Sequence, residues 1–227
     1  MDEWRTELSQ GHQVAFIVRK GALETPMKQK YGNHFSLNRE ETIAHIVKFC
    51  EEDLIVSTTG KISRELFEIR EKNGQTHEKD FLTVGSMGHC SSIALGVALN
   101  RPEKKVWCID GDGAVLMHMG AMAVIGKLHP NNFIHIVLNN GAHETVGGMP
   151  TVASGTNFVD VALACGYTNA VSVASMEALD IVLKEAAEKN ELSFIEVKVA
   201  LGARSDLGRP TTTALDNKLN FMKNLNF

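Results

Sequence analysis

Residues 105–144 read KVWCIDGDGAVLMHMGAMAVIGKLHPNNFIHIVLNNGAHE. Two short β-rich apolar runs, Lys105–Ile109 and Phe133–Leu138, flank a helical pattern from about Ala114 to Lys127. Each run ends in turn-forming polar residues: Asp110-Gly111-Asp112-Gly113 after the first, Asn139-Asn140-Gly141-Ala142-His143-Glu144 after the second. Strand, helix and strand in this order form one unit of a parallel sheet.

The same alternation continues in both directions. Strand-like runs occur at Val14–Val18, Leu54–Ser57, Phe81–Val84, Ala170–Val173 and Phe194–Val199, with helical patterns between most of them. Asn38 can cap a helix carrying Ile43, Ile46, Val47 and Cys50 on one face, with Glu41 at the capping-box position. An Ala- and Gly-rich helix is expected over Ser86–Leu99. Another is expected over Met176–Lys189, with Leu179, Val182, Leu183 and Ala186 on its apolar side. The expected fold class is α/β, a doubly wound, mostly parallel sheet flanked by helices.

Residues 1–37 break the pattern. One strand-like run, QVAFIVRKGAL, precedes the polar segment TPMKQKYGNHFS, and together they read as the tail of a preceding domain plus a linker. Residues 38–205 form the expected main domain. Residues 206–227 form a tail with a short amphipathic stretch carrying Leu219, Phe221, Met222 and Leu225, suited to packing on the surface or on a partner chain.

Composition narrows the function classes. At 227 residues with 44% hydrophobic and 22% charged side chains, the chain can bury a core without staples, which disfavours disorder. The formal net charge of −4, with no basic tract interleaved with aromatics, argues against a nucleic-acid partner. No apolar run approaches the ~20 residues of a membrane span, and MDEWRTELSQGHQ lacks signal-peptide character, so a cytosolic protein is expected. The four cysteines form no C-x-x-C pair and the nine histidines no H-E-x-x-H, so neither a zinc ribbon nor a zinc protease fits. No G-x-G-x-x-G opens a strand-to-helix turn, which disfavours a nicotinamide-dependent dehydrogenase.

In α/β sheets ligands bind beyond the carboxyl ends of the strands, so the chemistry is sought in the loops there. Glycines flanking Asp112 let backbone amides approach an anion at the start of a helix, where phosphate is favoured. A carboxylate there and the amide oxygen of Asn140 in the neighbouring loop supply hard ligands for Mg²⁺ that keeps phosphate oxygens in its shell. Alone, Gly-Asp-Gly or Asn-Asn reads as a turn or strand end. At the ends of two successive strands, 25 residues apart between Gly113 and Asn139, they read as a metal-diphosphate clamp.

GDG followed at this distance by NN resembles the signature of thiamine diphosphate enzymes. Beyond it, STTGKISRELFE, VGSMGHCSSIALGVAL and LNNGAHETVGGMPT resemble the phosphonopyruvate decarboxylases and the related sulfopyruvate decarboxylases, over most of residues 38 to 200. The resemblance implies thiamine diphosphate and Mg²⁺ as cofactors, with Asp112, Asn140 and the carbonyl of Ala142 as metal ligands. It implies that Gly111, Gly113 and Ala114 present backbone groups to the diphosphate, that the Gly85 carbonyl meets the 4′-amino group, and that Met87 wedges between the rings. Without its neighbours Met87 would read as a core filler.

Thr59, Gly60 and Lys61 are candidates for touching diphosphate or substrate, although a solvated Lys61 fits the sequence equally. Lys61 and Arg64, one helical turn apart, are candidates for the anionic group of the substrate; an exposed basic pair is the alternative. His89 and His143 lie beside the cofactor loops, as proton carriers, substrate ligands or structural histidines. The resemblance places the activating glutamate on a separate pyrimidine-binding domain, which this chain lacks; Glu144, in the metal loop, is poorly placed for that task. The expected reaction is decarboxylation of a small 2-oxo acid, 3-phosphonopyruvate to phosphonoacetaldehyde and CO₂, inside an oligomer completed by a pyrimidine-binding domain or subunit. The QVAFIVRKGAL run favours a piece of a longer chain over a naturally split enzyme. The alternatives are a sulfopyruvate decarboxylase subunit and a non-catalytic cofactor-binding subunit.

Overall fold

Runs of Val, Ile, Leu and Trp too apolar to face water on either side demand a sheet covered on both faces, and that is the arrangement found. The computed structural model describes residues 3–19, 21–23, 31–50 and 52–225. Six strands form one parallel sheet: β1 (Leu54–Ser57), β2 (Asp80–Leu82), β3 (Val106–Gly111), β4 (Phe133–Asn139), β7 (Asn169–Val173) and β8 (Ser193–Lys198), in the order β2-β1-β3-β4-β8-β7. A two-residue antiparallel ladder, β5 (Ala142–His143) with β6 (Met149–Pro150), lies outside the sheet. The strand order reverses between β1 and β3, and a crevice opens beyond the carboxyl ends of the strands at such a switch point.

Period-2 alternation sorts the strand side chains between two cores. Ile55, Trp107, Ile109, Ile134, Ile136, Leu138, Ile195 and Val197 face α2 (Arg39–Phe49), α3 (Lys61–Lys72) and α8 (Met176–Glu188). On the opposite face Val56, Cys108, Phe133, Val137 and Phe194 pack against α4 (Cys90–Asn100), α6 (Gly120–Leu128) and α7 (Phe158–Cys165). Asn38 caps α2 as its sequence suggests, its Oδ1 accepting from the Glu41 N–H at 3.1 Å.

The expected helix over 114–127 is two helices, α5 (Asp112–Met117) and α6, broken at His118, whose ring packs over the backbone of Gly88. The expected helix from Ser86 begins only at Cys90. Gly85, Ser86 and Gly88 take φ of +67°, +43° and +87°, values a right-handed helix does not contain.

The tail is integral to the sheet. In α9 (Ala214–Asn224) Phe221 is buried against Phe81, and Asn217 plugs the open edge of β2: its Oδ1 accepts from the Leu82 N–H at 3.0 Å and its Nδ2 donates to the Asp80 carbonyl at 2.9 Å. The chain divides into two units, residues 1–30 and 31–227, so the break falls before the expected 37/38 boundary. Leu37 is buried and bridges in parallel to Val199.

Among its described residues the first unit holds one helix, α1 (Glu3–Ser9), with Trp4 edge-on to Phe16 at 5.7 Å. Val14–Val18, expected as a strand, is irregular, with Ile17 97% exposed. A strand needs a neighbour for its N–H and C=O groups, and no described residue of this unit is in one. Residues 25–30 of the expected linker lie outside the described residues. No helix among the described residues is long and apolar enough to cross a membrane.

Candidate functional site

Three strand ends meet at the switch point. β1 runs into Thr58-Thr59-Gly60 and α3; β3 runs directly into α5, whose first residue is Asp112; β4 runs into Asn140-Gly141 and the β5–β6 ladder. Together they wall a cleft of about 610 Å³, counting its open mouth. Of the residues singled out from the sequence, Thr59, Lys61, Met87, Gly111, Asp112, Gly113, Ala114, Asn140, Ala142 and His143 line it.

Asp112 is 3% exposed, and no cationic side chain forms an ion pair with it among the described residues. Its Oδ2 accepts from the Thr151 hydroxyl at 2.5 Å. Burial pushes its carboxyl above the usual aspartate range, against the pull of Thr151, the backbone N–H groups and the nearby His143. Beside it, Asn140 is buried; its Oδ1 accepts from the Ala142 N–H at 3.0 Å, a local turn that folds the loop back towards Asp112. Asn33 holds the same loop from outside, donating to the Asn140 carbonyl at 2.8 Å. A carboxylate, an amide oxygen and backbone carbonyls, desolvated and without a positive charge among them, suit a hard divalent cation.

The cleft also offers donors to an anion. Thr58 Oγ1 is buried without a hydrogen-bond partner among the described residues. The helices that start at the cleft, α3 and α5, have glycine N-caps, Gly60 and Gly111, and no side-chain cap bond. At α3 the first N–H groups are thus left for a ligand, whereas at α5 the Asp112 and Gly113 N–H groups turn to the Asp112 carboxylate. Gly113 is tightly covered: a Cβ there would lie 2.9 Å from the His143 ring and 3.4 Å from Met87 Cε, so the ring would have to move aside for any larger residue. Hard oxygen ligands beside phosphate-type donors fit a metal-bound diphosphate.

Above the cleft lies a network of charges that sequence reading missed. Arg39, 5% exposed at the start of α2, grips Glu65 of α3 with two bonds of 2.8 Å and also contacts Glu144. Glu144 further accepts from the Gly202 N–H and faces Lys61, whose Nζ is 3.9 Å away. Glu144 is thus committed to two cations. Arg39 carried no spacing signal, sitting where a helix begins. Thr151 is 39 residues from Asp112 in sequence and arrives only through the β5–β6 ladder, which also bonds the Thr151 N–H to the Gly141 carbonyl at 2.8 Å.

The remaining sequence candidates are placed differently. Gly60 caps α3 without lining the cleft. Gly85 does not line the cleft, and it is followed by Ser86 at a φ of +43° that is strained for a residue with a Cβ. Arg64 is half-buried and does not line the cleft. His89 is exposed outside it, bonded to the Ser86 carbonyl and lying against His118 with ring centroids 4.3 Å apart.

Residues 58–197 match the family of thiamine pyrophosphate enzymes over its C-terminal TPP binding domain, the span that holds all three strand ends. The chain belongs to this family. It is 38% identical over 159 residues to a phosphonopyruvate decarboxylase of Streptomyces viridochromogenes, covering 70% of this chain and 38% of that protein. It is 36% identical over 149 residues to a sulfopyruvate decarboxylase subunit beta of Methanocaldococcus jannaschii, covering 65% of this chain and 76% of that subunit. The benzoylformate decarboxylase structure from Polynucleobacter necessarius superposes with a TM-score of 0.65 at 16% identity, over 79% of this chain and 36% of that one, a likeness of fold. As a thiamine pyrophosphate enzyme domain, the chain spans about 38% of the length of the Streptomyces relative.

Proposed function

We propose that this chain is the diphosphate-binding half of a thiamine diphosphate- and Mg²⁺-dependent 2-oxo acid decarboxylase, acting on 3-phosphonopyruvate to give phosphonoacetaldehyde and CO₂. The observation that carries the cofactor reading is Asp112: a desolvated carboxylate without a cation, at the start of α5 and sharing one cleft with Asn140 and the uncapped start of α3. Asp112, Asn140 and the Ala142 carbonyl hold Mg²⁺; the backbone of Gly111, Gly113 and Ala114, with the hydroxyls of Thr58 and Thr59, holds the diphosphate. Thiamine diphosphate, when bound, supplies the carbon nucleophile for the ketone and the sink for the electrons that carbon dioxide leaves behind.

The chain's own part is to bind, orient and exclude water. Thr151 keeps the Asp112 carboxylate aimed into the cleft. Met87, against Gly113, forms an apolar wall on the cofactor side. Lys61 and Arg39 supply the positive charge for an anionic substrate, held in place by Glu144 until it arrives. The activating carboxylate comes from a pyrimidine-binding domain, since Glu144 is already paired.

The similarity to sulfopyruvate decarboxylase subunits favours a second reading, with a sulfonate in place of the phosphonate and the pyrimidine domain on a separate chain. This chain covers 76% of the Methanocaldococcus subunit and only 38% of the Streptomyces protein. The test is to purify the chain with a pyrimidine-binding partner and measure CO₂ release from phosphonopyruvate and from sulfopyruvate. Preference for the phosphonate supports the first reading and preference for the sulfonate the second. Mg²⁺-dependent thiamine diphosphate binding, read by calorimetry, with no CO₂ from either acid leaves a non-catalytic binding subunit. Lys61→Ala is expected to raise KM for the preferred acid more than it lowers kcat.

A further inference from the structure

On the face of the sheet away from α3, directly beneath the cofactor loop, three metal-ligating side chains converge in a place water does not reach, with a fourth, His135, beside Asp110 and Cys108. Cys108 and Asp110 alternate on β3 and so share one face. His135 is the register partner of Cys108 on β4, and Cys90 comes down on them from the first residue of α4. All four are 0% exposed. The two sulfurs are 3.5 Å apart, and the donor atoms of Cys90, Cys108 and Asp110 lie within 4.8 Å of one another. His135 Nε2 is 3.7 Å from Asp110 Oδ2.

The hydrogen bonding of the cluster is incomplete. Asp110 Oδ1 accepts from the Gly111 N–H at 2.9 Å, but Oδ2 has no hydrogen-bond partner among the described residues, and neither has His135 Nε2. The other ring nitrogen, Nδ1, lies 3.1 Å from the Tyr167 hydroxyl. With the proton on Nδ1 donated to Tyr167, Nε2 turns a lone pair towards a carboxylate oxygen, and two buried acceptors face each other. With the proton on Nε2, a separation of 3.7 Å is too long for the bond that would repay burying the charge. A cation between them removes the conflict in the first tautomer.

We propose that Cys90, Cys108, Asp110 and His135 form a closed zinc site, separate from the Mg²⁺–diphosphate site. Two thiolates, one imidazole and one carboxylate are a tetrahedral donor set for Zn²⁺, and the absence of an open position marks a structural rather than a catalytic ion. Binding is a coordination step without redox change: both thiols release their protons to solvent, His135 binds through its neutral Nε2, and the bound set carries a net charge of −1. Tyr167, against Nδ1, fixes the tautomer, as outer partners of metal-bound histidines do. The ion ties α4, β3 and β4 together two residues before Asp112. The inference does not depend on the substrate or on thiamine binding.

Purified full-length chain, freed of metal by chelation under reducing conditions, is to be titrated with Co²⁺ and Zn²⁺ in the presence of Mg²⁺. The expected result is one Co²⁺ per chain with the d–d bands of a tetrahedral site and thiolate-to-cobalt charge transfer, displaced by one Zn²⁺ that also raises the melting temperature. Cys108→Ala is expected to abolish the charge transfer. Tyr167→Phe, a milder change that leaves the ligands in place, is expected to weaken Zn²⁺ about 10- to 100-fold. Absence of thiolate charge transfer in the wild-type chain would overturn the proposal. So would a spectrum unchanged in Cys108→Ala, or a Cys90–Cys108 disulfide in protein isolated without reductant.

Discussion

Asp80 and Asp112 are two aspartates buried at opposite ends of one parallel sheet, and they are treated in opposite ways. Asp80 opens β2 at 0% exposure and takes the fork of Arg70, with Nε and Nη2 each 2.9 Å from a carboxylate oxygen. Asp112 follows β3 at 3% exposure with a threonine hydroxyl and backbone N–H groups, and no guanidinium or ammonium. Burying a carboxylate costs several kcal/mol unless a cation or strong donors offset it. At the amino end of the sheet the chain supplies its own cation; at the carboxyl end the cation is left to the ligand. Side-chain caps from Asn38, Asn157, Ser175 and Thr213 close the starts of α2, α7, α8 and α9, while α3 and α5 begin at the cleft on glycine.

The sharpest way to break the comparison is to remove each carboxylate in turn. Asp80→Ala leaves Arg70 buried and unpaired and is expected to cost about 3–5 kcal/mol of stability by denaturant titration. What folds should keep its cofactor affinity, since Asp80 is remote from the cleft. Asp112→Ala should do the reverse: the melting temperature of the metal-free chain barely moves, while Mg²⁺-dependent thiamine diphosphate binding weakens by more than about 100-fold by calorimetry. If Asp112→Ala proves as destabilising as Asp80→Ala, the two sites are not different in kind. A smaller effect separates the carboxylate from its orientation: Thr151→Val keeps the charge, loses the hydroxyl on Oδ2, and should weaken Mg²⁺ about 10-fold with little change in stability.

How much of this was legible in the sequence follows from how far each signal reaches. The inner strands are apolar runs stopped by Gly, Asp or Asn, so β1, β3, β4 and β8 and the loops beyond them could be read from local pattern alone. Asp112 and Asn140 were singled out for that reason, whereas Ala142 was pointed to only by the family resemblance. Val14–Val18 has the same local pattern and no strand, because pairing is supplied by neighbours and not by the run itself. The break between α5 and α6 was invisible because both halves keep the same period; it falls at His118, whose ring packs over Gly88, some 30 positions earlier. Thr151 and Arg39 reach the cleft through tertiary contacts only. Cys90, Cys108 and Asp110, with His135 beside them, escaped for the same reason: they are spread over three elements and show no metal-binding spacing.

The smallest expected effect tests the sign of the charge at Asp112 directly. Burial holds its folded-state pKa above that of the unfolded chain. Between the two values the native chain keeps a proton that the unfolded chain has released, so stability of the metal-free protein falls as pH rises through that window and is level above it. Asp112→Asn cannot ionise, and should remove that slope and leave the metal-free chain more stable at neutral pH, by about 1 kcal/mol, the low end of the cost of an unmatched buried polar group. Mg²⁺ with thiamine diphosphate reverses the dependence in the wild type, because the ion binds only the ionised carboxylate: stabilisation by ligand should disappear as pH falls through the raised pKa, at a higher pH than an ordinary aspartate would give. Melting temperatures of both proteins across that range, with and without ligand, should therefore cross, the asparagine variant leading without ligand and the wild type leading with it.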